Sequence, residues 1–235
     1  MPSSLPLVLV PGLLCSARLY ALQVAALWPQ GPVTVADHRH GGDTMASIAA
    51  AILAVAPDRF ALAGLSMGGY IAFEMMRQAP ERIARLALLD TSARPDTPEQ
   101  KEGRTKFIAM AEAGKLNDIV DTLTPRFLHP DHLKDKALTD TVRAMAQDTG
   151  AEAFVRQTKA IMSRPDSRPL LAEIGCPTLV LVGDSDVLTP PELAKEIAAD
   201  IPGSKLVVVP DCGHLSTIEK PDAVNKAMSE WLTGA

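Results

Sequence analysis

Cysteine is scarce in this chain. Three residues in 235, Cys15, Cys176 and Cys212, show no metal-type spacing. An odd and sparse set excludes a disulfide framework and suits a reducing compartment, so a cytoplasmic location is expected. Blocks of basic residues are also missing. Lys and Arg number 23 against 28 Asp and Glu, for a net charge of −5. Nucleic acid and anionic membrane surfaces are therefore not expected as partners. No apolar run approaches the ~18 residues that span a bilayer. The apolar stretch Leu5 to Leu14 has no basic residue before it and contains Pro6 and Pro11, so it reads as a buried strand rather than a signal peptide. Repeats, linkers and low-complexity tracts are absent.

What remains is an ordinary globular balance, 47% hydrophobic and 22% charged, at a length that suits one α/β domain with an inserted subdomain. Short apolar runs alternate with helical patterns. Strands are expected at Leu5–Val10, Pro32–Ala36, Arg59–Ala63 and Ile83–Leu89, with helices between them at about Ala17–Leu27, from Asp43 or Thr44 to Ala56, and up to Ala79. Strict alternation of this kind implies a parallel sheet with helices on both faces. From Arg94 to Ser167 no strand candidate occurs. Apolar residues recur there at helical spacing, and helices are expected at about Thr97–Gly114, Leu116–Phe127, Leu133–Thr149 and Ala151–Ser163. The alternation resumes with strands at Pro177–Val182 and Lys205–Val209 and helices at Pro191–Ala199 and Pro221–Leu232. The expected division is therefore a core of residues 1–94 and 168–235 and an all-helical insertion of residues 95–167.

The sequence is organised around Phe60 to Ala79, where an apolar strand meets Gly64-Leu65-Ser66-Met67-Gly68-Gly69 and continues as a helix. A bare G-x-S-x-G arises by chance in roughly one chain in ten of this length, so the motif alone decides little. Its strand–turn–helix setting decides more: a serine on a sharp turn has its hydroxyl pushed above the sheet, and glycines on either side let strand and helix approach. The helix that follows aims its positive end at the serine and would favour an oxyanion there. Two partners stand downstream in the order that such a site requires. Asp184 and Asp186 follow the fifth strand, and His214 follows the sixth, both at strand C-terminal ends, where ligands collect in open α/β sheets.

These stretches, with Val10-Pro-Gly-Leu-Leu14 and Asp37 to Gly42, resemble the α/β-hydrolase superfamily across the whole chain. The likeness is to the compact branch of carboxylesterases, lactonases and cofactor-free haloperoxidase-like enzymes. The resemblance implies an α/β-hydrolase fold with a six-stranded, all-parallel sheet and a helical lid. The chain starts at what would be the family's third strand. Ser66 resembles the nucleophile and His214 the general base. Asp186 is the better match for the acid, three residues past Gly183, with Asp184 as the fallback. The oxyanion amides resemble those of Leu13 and Met67. Where the family commonly has His-Gly, this chain has Pro11-Gly12.

The expected reaction is cleavage of a carboxylic ester, lactone or thioester of a small, mainly apolar acid, without cofactor or metal. Leu14, Tyr70, Phe107 and Met145 are candidate pocket residues. Perhydrolase or haloperoxidase-like activity and C–C bond hydrolysis are alternatives within the enzymes, and a small-molecule receptor with a slow triad is an alternative of another class. A serine at the elbow argues against haloalkane dehalogenases and epoxide hydrolases, which resemble this fold but use aspartate there. His38 and His40 beside Asp37 read as a structural turn rather than a metal site. His129 and His132 read as a helix-linking turn, and Cys15 as a neighbour of the oxyanion loop without a catalytic role. Oligomeric state is not written in the sequence.

Overall fold

A computed structural model describes residues 5–234. Six strands, β1 (Leu7–Val10), β2 (Val33–Val35), β3 (Phe60–Leu65), β4 (Ile83–Leu89), β5 (Thr178–Gly183) and β6 (Lys205–Val209), form one sheet in the order β2-β1-β3-β4-β5-β6. Every pairing is parallel. The central strands β1, β3 and β5 are buried throughout, whereas β2 and β6 at the edges are partly exposed. This explains why the central runs read as continuously apolar: in a parallel sheet covered on both faces each side chain meets a helix layer.

Alternation along each strand divides the core in two. Leu7, Leu9, Ala61, Ala63, Leu179 and Leu181 face one layer. Val8, Val10, Phe60, Leu62, Val180 and Val182 face the other. The first layer receives α1 (Ala21–Leu27), much of the helical segment between β4 and β5, and the C-terminal helix. The second receives α2 (Met45–Val55), α3 (Met67–Gln78) and, from the helix after β5, Ala194 and Ile197.

The segment after β4 contains α4 (Pro98–Glu112), α5 (Leu116–Phe127) and α6 (Lys136–Met162), followed by the single turn α7 (Arg168–Leu171). α6 covers two of the expected helices. They are separated where expected, at Gly150, whose φ of 77° and ψ of 162° leave the helical region. α8 (Pro191–Asp200), the short α9 (Ser216–Glu219) and α10 (Pro221–Thr233) complete the chain. The helix expected from Ala17 is a 3₁₀ turn, Ala17–Tyr20, before α1 begins, with the Ser16 side chain capping its start. Thr44, one of two candidate caps, is the N-cap of α2 and forms a reciprocal capping box with Ser47. No helix among the described residues is long and apolar enough to cross a membrane.

Because all strands are parallel, the loops after β1, β2, β3, β4, β5 and β6 emerge at one edge of the sheet. That edge gathers the loops bearing Gly12, His38, Ser66, Asp90, Asp186 and His214.

Candidate active site

Ser66 is the single residue between β3 and α3, and its backbone is left-handed in φ at 55° with ψ at −114°. A non-glycine residue held there costs about 1–3 kcal/mol and persists only where its surroundings enforce it. Here its N–H donates to Leu89 O (2.9 Å), and its carbonyl accepts from Gly69 N–H (2.9 Å) and Thr91 Oγ1 (2.8 Å). The two motif glycines make the turn possible. A Cβ on Gly64 would collide with the carbonyl of Gly68, and one on Gly68 with the carbonyl of Val10.

Ser66 Oγ lies 2.8 Å from His214 Nε2, and His214 Nδ1 lies 2.8 Å from Asp186 Oδ2. Both residues are buried, with side-chain exposures of 3% for His214 and 0% for Asp186. Asp186 is held by its own loop: Oδ1 accepts from Leu188 N–H (2.8 Å) and Thr189 N–H (3.0 Å), and Oδ2 from Thr189 Oγ1 (2.6 Å). Asp184, the fallback acid, is exposed and accepts from Cys212 N–H (3.2 Å), so it faces the β6 loop backbone rather than the imidazole. Burial opposes charge on both members of the pair. Their mutual attraction and hydrogen bond prevail, and with the Thr189 contacts they lower the Asp186 pKa and raise that of His214.

A third carboxyl lies behind this pair. Asp90 ends β4 in a left-handed turn (φ 45°) and is fully buried. Its Oδ1 accepts from Gly183 N–H (3.0 Å), and its Oδ2 is bonded by Ser216 Oγ. Burial, and then the Asp186 charge, push its pKa well above the ordinary carboxylate range. Asp90 thus ties the ends of β4 and β5 to α9 beneath the histidine. The sequence signal for it was an acid closing an otherwise apolar strand.

The loop after β1 faces the elbow. The Leu13 amide has no hydrogen-bond partner among the described residues, and the Met67 amide is the first of α3. First-turn amides of a helix have no partner within it. His38, buried, puts Nε2 3.1 Å from Gly12 O. A carbonyl only accepts, so this ring nitrogen carries the proton. Burial lowers the His38 pKa and so favours the neutral ring. His38, in the loop after β2, therefore braces the loop after β1 at Gly12. Cys15 Sγ contacts Leu13 O at 3.4 Å, and burial pushes the thiol up to about 12, so it is not a nucleophile.

A cavity of about 500 Å³ opens over Ser66 and His214. Leu13, Phe107, Phe127, Phe154, Leu188 and Leu215 give it apolar walls, and Tyr70 also lines it. Two expected pocket residues lie elsewhere. Leu14 turns away in a left-handed conformation (φ 59°) and is packed in the core, with Leu13 facing the cavity in its place. Met145, on the inward side of α6, is buried in the same core. The expectation of an apolar pocket describes only part of the wall, because Arg94, Arg104, Arg126 and Arg164 line another part.

A sequence model described as the alpha/beta hydrolase family matches residues 7–227. The chain belongs to the α/β-hydrolase family. Among solved structures, this hydrolase is similar to a thermophilic esterase from Thermogutta terrifontis at 33% identity and a TM-score of 0.90, covering 99% of this chain and 90% of that one. It is also similar to the enol-lactonase from Burkholderia xenovorans at 28% identity and a TM-score of 0.87, covering 98% and 92% of the two chains. A curated relative, the pimeloyl-[acyl-carrier protein] methyl ester esterase of Nitrosomonas europaea, is 29% identical over 71% of this chain and 68% of its own.

The hydrolase has a second carboxylate–histidine contact that sequence reading missed. Glu219 Oε2, on α9, accepts from His129 N–H (2.7 Å) and lies 2.7 Å from His132 Nδ1. His129 caps the 3₁₀ turn Pro130–Lys134 that links α5 to α6 and His132 lies within it, so their place as a helix-linking turn stands, with a buried acid as its anchor. The signal available was Glu219 five residues after His214, but nothing in the chain names its partner 87 residues away.

Proposed function

We propose that this hydrolase cleaves a carboxylic ester, lactone or thioester through an acyl-enzyme on Ser66. The observation that carries the reading is the unbroken chain Ser66 Oγ–His214 Nε2–Asp186 on the floor of the cavity, with 2.8 Å at each step. Asp186 accepts from Nδ1–H and so leaves Nε2 as the basic nitrogen facing the serine. Ser66 Oγ attacks the acyl carbon as its proton passes to Nε2. The Leu13 and Met67 amides would bind the developing oxyanion. The imidazolium then protonates the leaving alcohol or thiol. Water, activated by the same nitrogen, releases the acid and restores Ser66.

The helices between β4 and β5 act in this reading as a lid, since α4, α5 and α6 all contribute cavity residues. The apolar walls next to the serine suit a small apolar acyl chain. The three relatives are named for ester or lactone cleavage, which favours the same bond type here. The three cysteines are unpaired thiols, in keeping with a cytoplasmic setting.

The test is hydrolysis of p-nitrophenyl esters of increasing acyl length by wild type and Ser66→Ala. Turnover by wild type with a loss of roughly 10⁴-fold or more in the variant supports the reading. No turnover on any ester, or undiminished turnover in Ser66→Ala, refutes it.

A further inference from the structure

The arginines of the cavity wall are not balanced by the acids beside them. Arg94 is paired with Glu196 through two contacts (2.9 and 3.0 Å). Arg104 and Arg164 share one carboxylate, Asp96, at 2.6 and 2.7 Å. The Asp96 side chain is fully buried and that of Arg164 is 7% exposed, so this pair of cations on one anion is built into the wall. Arg164 also lies 4.2 Å from the centre of the Tyr70 ring, which fixes it further. Arg104 spends Nε and Nη2 on Asp96 and leaves Nη1 without a partner among the described residues. Glu99, the other acid on the wall, stands in the first turn of α4, facing that helix's own positive end. Arg126 has neither an ion pair nor a hydrogen bond among the described residues.

An unpaired surface arginine is ordinary. Arg126 differs in where its backbone is held. It precedes Phe127 in the last turn of α5, and Phe127 O accepts from both His214 N–H (2.9 Å) and Leu215 N–H (3.2 Å). The cation is therefore carried on the segment bonded to the histidine loop and lines the same cavity as Ser66. A guanidinium presents parallel N–H donors matched to a carboxylate.

We propose that the cavity selects esters that carry a second, anionic group, a carboxylate remote from the scissile carbonyl, and that Arg126 binds it. The substrate class is then a half-ester of a dicarboxylic acid or a carboxylated lactone. Its apolar stretch lies along Phe107, Phe127 and Phe154, and its anionic end lies at the arginine wall. Asp96 with Arg104 and Arg164 supplies a fixed excess of positive charge that favours the same end. This identification rests on the ester-hydrolase reading above.

The experiment compares mono-p-nitrophenyl glutarate with p-nitrophenyl pentanoate, equal in chain length and different in charge. Wild type is expected to favour the glutarate half-ester in kcat/KM by about tenfold to a hundredfold, as for a charge-assisted hydrogen bond. Arg126→Ala should lower that preference tenfold or more, Arg126→Lys should retain part of it, and added salt should weaken it in wild type. In parallel, calorimetry on the Ser66→Ala protein should show monomethyl glutarate binding at least tenfold more tightly than methyl pentanoate, with the difference lost in Ser66→Ala/Arg126→Ala. A wild-type preference for the neutral ester, or a preference unchanged in Arg126→Ala, overturns the inference and leaves the hydrolase reading standing. If wild type cleaves neither ester, the hydrolase reading fails. Calorimetry then decides the inference alone, and equal binding of the two methyl esters overturns it.

Discussion

The carbonyl of Phe127 accepts from the His214 N–H at 2.9 Å, and its ring stacks on the imidazole of the same residue, 6.1 Å between centres and 18° between planes. The last residue of α5 thus holds the histidine by both backbone and side chain. The helical segment and the site beneath it form one packed unit at this point. Phe127→Ala would leave the backbone bond possible but remove the stacked ring and open a void, with a stability cost of about 3–5 kcal/mol. Phe127→Leu should cost less and fill most of the space. We expect kcat to fall and KM to rise, more in Phe127→Ala than in Phe127→Leu, because the ring both supports the imidazole and walls the pocket. Thermal unfolding and steady-state kinetics on the two variants check this.

The pair Asp186–His214 sets a pH dependence. The raised His214 pKa means that kcat/KM should rise with pH along a limb centred above the ordinary histidine value of 6.5. Asp186→Asn should shift that limb downwards and cut kcat by about 10⁴-fold, while Asp184→Asn should stay within a few-fold of wild type. The same shifts act on stability in opposite directions. The raised His214 pKa stabilises the fold fully below 6.5, and this is lost as pH rises through the folded-state value. The lowered Asp186 pKa stabilises it above 3.8, and this is lost as pH falls through its folded-state value. Denaturant midpoints across pH for wild type and Asp186→Asn measure both.

His38 carries a separate prediction. Its Nε2–H holds Gly12 O at 3.1 Å, next to the Leu13 amide. His38→Ala removes that brace, and kcat should fall by about 10–10²-fold as one oxyanion donor loses its position. The pH limb should not move, because burial lowers the His38 pKa whereas that of His214, which sets the limb, is raised. A shifted limb would mean that His38 titrates with the reaction.

Strain at Ser66 predicts a gain of stability when function is removed. At φ 55° a serine is held where glycine is at ease. Ser66→Gly should therefore be more stable than wild type by about 1 kcal/mol, and more stable than Ser66→Ala, with activity lost in both. Comparing the three melting temperatures checks this.

Most of the frame was legible because its signals are local. A continuous apolar run such as Leu179–Val182 can satisfy only a strand covered on both faces, and Gly64 with Gly68 marks a turn that no other residue permits. Ser66, Asp186 and His214 could be placed because each follows a strand end of one parallel sheet. Other features depend on distant partners. Asp90 closes an apolar strand in the sequence, but its role depends on Gly183 of β5 and Ser216 of α9, which bond it only in the fold. Glu219 has meaning only beside His132, and Leu13 rather than Leu14 faces the cavity because of one left-handed residue. In the helical segment, periodicity located α4, α5 and α6, but the face that each turns to the serine is set by packing. An apolar pocket was therefore expected where four arginines also stand.

The most direct test of the central claim is intact-protein mass spectrometry after treatment with a fluorophosphonate, followed by peptide mapping. One adduct per chain is expected on the peptide containing Ser66, abolished in Ser66→Ala and strongly slowed in His214→Ala. A folded wild-type protein that takes up no label, or takes it up at another residue, contradicts the account.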